Sequence, residues 1–240
     1  MNPIYLDNNS TTNIDPEVLK KMIPFFESKF GNASSVNHTF GSLAKDAIDK
    51  SRRVVSRIIN SSPNEIIFTS GATESLNLAI KGLIANSKIK KPHIVTFKTE
   101  HKAFLDTCVF LESSGVDVDY LDVASDGSLD IKNFKNSLKS ETVMVVLLHA
   151  NNEIGTIHPI KLIGEICNSN NIPLLVDAAQ SFGKIPIDVK TEYISMLAGS
   201  AHKVYGPKGV GFLYKKNDIH IESLFHGGGH EMGYRSGTIN

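Results

Sequence analysis

The stretch Thr142-Val-Met-Val-Val-Leu-Leu148 is apolar at every position after its threonine. A strand with one solvated face alternates polar and apolar residues, so a run that is apolar on both faces must be covered on both. Glu65-Ile-Ile-Phe-Thr69, His93-Ile-Val-Thr-Phe97 and Ile172-Pro-Leu-Leu-Val176 also read as strands, and runs of this kind belong to a parallel sheet enclosed by helices. Further strands are expected over 116–123 and 193–197. Between them, amphipathic stretches predict helices over 16–29, 42–59, 73–85, 102–113, 130–138 and 159–170. The repeating order gives an α/β fold, a mostly parallel open sheet with helices on both faces. Gly209-Val-Gly-Phe-Leu-Tyr214 follows its predecessor after a turn too short for a crossover helix, so it is expected to run antiparallel to its neighbour.

The chain has 240 residues, 41% of them hydrophobic, enough to bury a sizeable core. Lysine plus arginine and aspartate plus glutamate number 25 each, so no global field attracts nucleic acid or an anionic membrane. The N-terminal MNPIYLDNNSTTNIDP lacks the basic and apolar regions of a signal peptide. No apolar run approaches the roughly 18 to 20 residues of a membrane span, and a cytoplasmic location is expected. Cys108 and Cys167 are far apart without CxxC spacing, which suggests neither a disulfide framework nor a zinc site; each reads as a small buried hydrophobe. His226 and His230 are spaced as in HExxH, but three glycines between them disfavour a metal-binding helix. HGGG without a GxSxG elbow is not an esterase oxyanion loop either.

Ligands of open α/β sheets bind beyond the carboxyl ends of the strands. Ser70-Gly-Ala-Thr73 is a strand-to-helix turn whose free N–H groups and helix dipole suit an anion, although an ordinary N-cap explains it about as well. Asp177 ends an apolar strand, where an acid needs a cationic or hydrogen-bonding partner. Lys203, in Ser200-Ala-His-Lys203, stands where its surroundings can lower its pKa and make it a nucleophile toward an aldehyde. His101 starts a helix straight after a strand and can cap it, stack on a ring or carry a proton. Lys208, boxed between Pro207 and Gly209, reads as a turn residue. A phosphate cradle, a histidine, an aspartate and a lysine at successive strand ends describe a site for pyridoxal phosphate. There lysine holds the aldehyde, a carboxylate keeps the pyridine nitrogen protonated and helix-end donors fix the phosphate.

The ordered motifs Tyr5-Leu-Asp-Asn-Asn-Ser-Thr-Thr12, Phe30-Gly-Asn-Ala-Ser-Ser35, Phe68-Thr-Ser-Gly-Ala-Thr-Glu-Ser75, Thr99-Glu-His101, Asn151-Asn-Glu-Ile-Gly155, Asp177-Ala-Ala-Gln180, Ser200-Ala-His-Lys203 and Arg235-Ser-Gly-Thr238 carry a resemblance over essentially the whole chain. It resembles the cysteine desulfurases, within the class-V aminotransferase family of fold-type-I pyridoxal phosphate enzymes. The resemblance implies that Lys203 is the Schiff-base lysine and proton shuttle, with His101 stacking on the ring and helping to protonate intermediates. Asp177 is then the partner of the ring nitrogen and Gln180 of the ring hydroxyl. Thr73, Ser200 and His202 hold the phosphate, and Asn152 touches cofactor or substrate. Thr238 matches the residue that reaches the phosphate of the partner subunit in a homodimer.

The reaction so implied takes sulfur from L-cysteine, leaving L-alanine and an enzyme persulfide. An iron–sulfur scaffold or a sulfur-carrier protein, serving cluster assembly or tRNA thiolation, is the partner expected to receive it. Residues 16–240 are expected to form the cofactor-binding large domain, with residues 1–15 as an arm that packs with a small C-terminal domain. In the family that small domain carries the persulfide cysteine and the arginine that grips the substrate carboxylate. Neither Cys108 nor Cys167 matches the nucleophile's position, and the expectation is a truncated chain that does not complete desulfuration alone. A selenocysteine lyase, another class-V aminotransferase or a non-catalytic truncated paralogue are the competing readings.

Overall fold

The computed structural model describes residues 3–240. In chain order its elements are α1 (Pro16–Glu27), α2 (Thr39–Ile58), β1 (Ile66–Thr69), α3 (Ala72–Asn86), β2 (His93–Phe97), α4 (Lys102–Glu112), β3 (Asp117–Leu121), α5 (Ile131–Ser137), β4 (Thr142–Leu148), α6 (Ile160–Ser169), β5 (Leu174–Asp177), β6 (Met196–Ser200) and β7 (Gly211–Lys215). The strands form one sheet in the order β1-β7-β6-β5-β4-β2-β3. β7 runs against both its neighbours, and every other pairing is parallel. Six strands therefore point the same way, and their carboxyl ends share one edge.

The apolar run of β4 is buried on both faces. Val145 and Leu147 lie in one core with Phe134 of α5 and Ile163 of α6; Met144 and Val146 lie in the other with Leu76 and Ile80 of α3 and Phe104 of α4. Each such side chain contributes about 1.5–3 kcal/mol by leaving water. Cys167 packs in the first core and Cys108 in the second.

β6 departs from the sequence expectation of 193–197. Tyr193 has φ 55°, a left-handed conformation that places it in a turn rather than a strand. The strand continues instead through Ala198-Gly199-Ser200, residues of weak strand preference that are held there by ladders to β5 and β7 on either side. Gly199 has no alternative, because a Cβ would fall 2.2 Å from the Phe212 ring.

The expected arm over residues 1–15 falls partly on Met1 and Asn2, which lie outside the described residues. Its second half is fastened to the loop after β6. Thr12 donates through N–H and Oγ1 to the His202 carbonyl, Tyr205 N–H donates to Thr12 Oγ1, and Asp15 N–H donates to the Tyr205 carbonyl. Ile4 and Leu6 stay exposed. Among the described residues no helix is long and apolar enough to cross a membrane.

Candidate functional site

Asp177 is the last residue of β5, at the centre of the sheet, opposite Leu148 of β4 and Ala198 of β6. It is 3% exposed, and the one hydrogen bond to its carboxylate among the described residues comes from Ala179 N–H at 2.9 Å to Oδ1. Burial lifts its carboxyl above the usual range, while that N–H and the nearby charges of His101 and Lys203 pull the other way. A buried acid in this state is short of a cation.

Lys203 ends a single turn of 3₁₀ helix, Ala201–Lys203, that follows β6 directly. Its ammonium donates to the Asn9 carbonyl. Gln180 Nε2 donates to the same oxygen at 2.7 Å, and Asn9 Nδ2 donates to the Asn152 carbonyl at 3.2 Å. One N-terminal residue thus ties together the loops that follow β4, β5 and β6. Burial, then the charge of Lys184, lowers the Lys203 pKa against the pull of Asp177 and Asp7, which favours a reactive neutral amine.

His101 caps α4: its Nδ1 accepts Ala103 N–H at 3.1 Å, so the proton of the neutral ring sits on Nε2. Its imidazole is otherwise exposed and acts on Asp177 through space. Asn151, rather than Asn152, builds its loop, accepting Glu153 and Ile154 N–H and donating to the Thr99 carbonyl. The side chain of Asn152 forms no hydrogen bond among the described residues, which leaves it free for a ligand.

At the same carboxyl edge, Gly71 precedes α3 at φ 154°, ψ 178°, a conformation open to glycine, and no side chain among the described residues caps the helix. The first N–H to reach a backbone acceptor is that of Ser75, to Gly71 O, so the N–H groups before it on α3, including that of Thr73, face outward. Thr69 pairs with Gly211 and Gly211 with Ser200. A Cβ on Gly211 would lie 2.5 Å from Gly71 Cα, so the missing side chain lets the α3 N-terminus approach Ser200. Ser200 is 3% exposed, and its hydroxyl has no partner among the described residues. His202 meets Thr11 Oγ1 through Nδ1 at 3.1 Å; burial and the charges of Lys203 and Lys208 lower its pKa. Thr238 is exposed and forms no hydrogen bond among the described residues.

The edge therefore offers an amine, a buried acid lacking a cation and a helix N-terminus ready for an anion. Sequence reasoning missed Asn9, which acts through its main-chain oxygen, and Glu100, a buried acid beside Asp177. It also missed the ion pair of Glu74 with Arg235.

An open, mostly parallel α/β sheet with such a set of groups at its carboxyl edge defines a ligand-binding domain of the fold-type-I kind. The chain belongs to the class-V aminotransferase family, whose model matches residues 4–237. It is 49% identical over 239 residues to cysteine desulfurase IscS of Neisseria meningitidis serogroup A, covering 99% of this chain and 59% of that protein. It is also 49% identical over 241 residues to cysteine desulfurase IscS of Shewanella sediminis, covering 99% and 60%. The chain thus spans about three fifths of the length of these curated relatives. Among solved structures it is similar to SspA in complex with cysteine, with a TM-score of 0.96, 41% identity and coverage of 99% of this chain and 69% of that one. A NifS-like protein gives a TM-score of 0.95 at 40% identity, with 99% and 65% covered.

Proposed function

We propose that residues 16–240 are the cofactor-binding large domain of a pyridoxal phosphate-dependent cysteine desulfurase, with residues 1–15 as its N-terminal arm. In this reading L-cysteine is the substrate, L-alanine the product, and the sulfur leaves through an enzyme persulfide to an iron–sulfur scaffold or a sulfur carrier. The observation that carries it is the gathering of Lys203, Asp177, Gln180 and His101 at the carboxyl edge of the sheet, which also carries the α3 N-terminus.

The residues fit the cofactor. The cation that buried Asp177 lacks is what a protonated pyridine nitrogen supplies, and the space beside Gly71 is open, with no atom of the described residues within 4 Å of where a Cβ would lie. Thr73, Ser200 and His202 would hold the phosphate, Gln180 the ring hydroxyl, and Lys203 would be the covalent anchor. When bound, the cofactor supplies an electron sink for charge developing at the substrate α-carbon.

Lys203, with its lowered pKa, takes and returns the α-proton. His101 offers a ring face and the Nε2 proton. Asn152 orients substrate or cofactor, and Thr238 serves the partner subunit of a homodimer. Neither cysteine suits the sulfur-accepting role: both are buried, and burial pushes both thiols up to about 12, far from the thiolate that the attack needs.

Adding pyridoxal phosphate to the purified chain should produce a visible absorption band that Lys203→Ala abolishes. L-cysteine should then yield alanine, provided a cysteine-bearing C-terminal region is supplied. A folded native chain without the band, or a band that survives Lys203→Ala, would overturn the reading.

A further inference from the structure

Glu74 is the acidic side chain in the first turn of α3, the turn whose N–H groups are proposed above to hold phosphate. Its Oε2 accepts Ser70 N–H at 2.8 Å and its Oε1 accepts Arg235 Nε–H at 2.9 Å. The side chains are 9% and 23% exposed. Burial raises the Glu74 pKa, but the hydrogen bonds from Arg235 and Ser70 outweigh it, and the carboxyl is held below the usual glutamate range. A fixed anion thus stands where a second anion must bind, and like charges in a partly desolvated site repel strongly.

Arg235 reaches that anion from far along the chain, on a strap with its own anchor. Four residues earlier, Glu231 accepts Arg52 Nη1 and Nη2 at 2.8 and 2.6 Å, and also Phe68 N–H at 2.5 Å on β1. Glu231 and Met232 are both left-handed, at φ 48° and 58°, a strained choice for residues with side chains that the anchor must hold in place. The strap therefore grips β1 with one side chain and the helix that follows β1 with another. Independently of the helix end, Ser200, a residue 3% exposed whose hydroxyl has no partner among the described residues, lies across Gly211 from Gly71 and marks the same place as a ligand site.

We infer that Arg235 is a positioning residue for the phosphate cradle. By pairing with Glu74 it cancels the fixed negative charge of the first turn, and so sets how strongly the site prefers a phosphorylated ligand over its unphosphorylated counterpart. This rests on the proposed cofactor reading, and it gives Arg235 a role without contact to the phosphate.

The test compares pyridoxal phosphate with pyridoxal, which keeps the ring and aldehyde and lacks the phosphate, in titrations of the purified chain followed by absorbance. Arg235→Ala should weaken pyridoxal phosphate about tenfold and leave pyridoxal within about twofold, as expected for one unscreened charge near a dianion. Glu74→Gln keeps an acceptor for Ser70 N–H while removing the charge, and should raise the preference for the phosphorylated ligand. The double variant should return the preference to within about twofold of the native chain. Inorganic phosphate should compete less well in Arg235→Ala, a readout independent of any covalent step.

Equal loss for both ligands, or a double variant as weak as Arg235→Ala, would overturn the inference. If Arg235→Ala does not fold, Arg235→Lys and Glu74→Gln decide it: the first should keep the native preference and the second should raise it. An unchanged preference in Glu74→Gln would sink the idea. A native chain that folds and takes up neither ligand would instead remove the cofactor reading beneath it.

Discussion

Glu100 and Asp177 are buried carboxyls separated by a single strand pairing. Glu100 Oε1 accepts Leu148 N–H at 2.8 Å, and Leu148 lies directly opposite Asp177 in the β4–β5 register. The other oxygen of Glu100 is buried without a partner, and Glu100 forms no salt bridge among the described residues. Burial pushes its carboxyl well above the usual range and the charge of Asp177 adds to the rise, with only Leu148 N–H resisting. Two uncompensated anions so close would be costly. Glu100 is pushed the further of the two toward its neutral form, whereas Asp177 has the charges of His101 and Lys203 favouring its anion.

This state makes stability depend on pH. An acid whose pKa is raised by folding gives stability that is full below its unfolded value and lost as pH climbs through its folded value. Glutamine cannot ionise, so Glu100→Gln escapes that loss. Its melting temperature should match the native chain below about pH 4.5, the ordinary glutamate value, and pull ahead progressively as the pH rises. Thermal melts across the pH range check this; a gap that stays flat or closes on the alkaline side would mean that Glu100 is ionised and compensated.

Lys184 bears on the reactivity of Lys203. Burial is the main reason that the Lys203 pKa is lowered, and the charge of Lys184 is the next. Lys184→Gln should let that pKa rise toward its ordinary value, leaving less free amine at neutral pH. Growth of the pyridoxal phosphate absorption band should be slower at neutral pH, and its pH profile should move to the alkaline side. A profile that does not move would show that burial alone governs the lysine.

Much of this was legible in the sequence for physical reasons that stop at identifiable residues. The both-face burial of β4 follows from a run without polar positions, and Asp177 and Lys203 were found because strand ends are where such sheets bind ligands. The start and end of β6 were not legible, since Ala198, Gly199 and Ser200 are held in the sheet by their neighbours rather than by their own preference. Asn9 reaches Lys203 across 194 positions and through a carbonyl that any residue carries, so its identity gave no signal. Arg235 meets Glu74 across 161 positions, where spacing carries no information.

The two cysteines should be silent toward thiol reagents. Both thiols are buried and pushed up to about 12, so thiolate is scarce at neutral pH and access is closed. Titration with a chromogenic disulfide should detect no rapid thiol in the native chain and both thiols in denaturant. A rapidly reacting Cys108 in the folded chain would reopen its candidacy as a sulfur acceptor.

Arg52 should matter more to stability than its place on the surface of α2 suggests. Its guanidinium grips Glu231 through two hydrogen bonds and donates to the Ile66 carbonyl at 2.5 Å, and the Glu231 side chain is only 1% exposed. It also lies 4.9 Å from the centre of the Phe68 ring. Arg52→Ala would leave a buried carboxylate with the Phe68 N–H as its remaining donor, a loss of about 3–5 kcal/mol when one partner of a buried pair is removed. Replacing both partners with apolar residues, as in Arg52→Met with Glu231→Leu, should recover much of that loss because no unpaired charge remains. Urea unfolding of the native chain and the single and double variants measures both effects. A loss under about 1 kcal/mol for Arg52→Ala, the size of an exposed pair, would mean that the strap lifts and lets Glu231 reach water. In that case the same variant should also lose the phosphate preference that Arg235 sets.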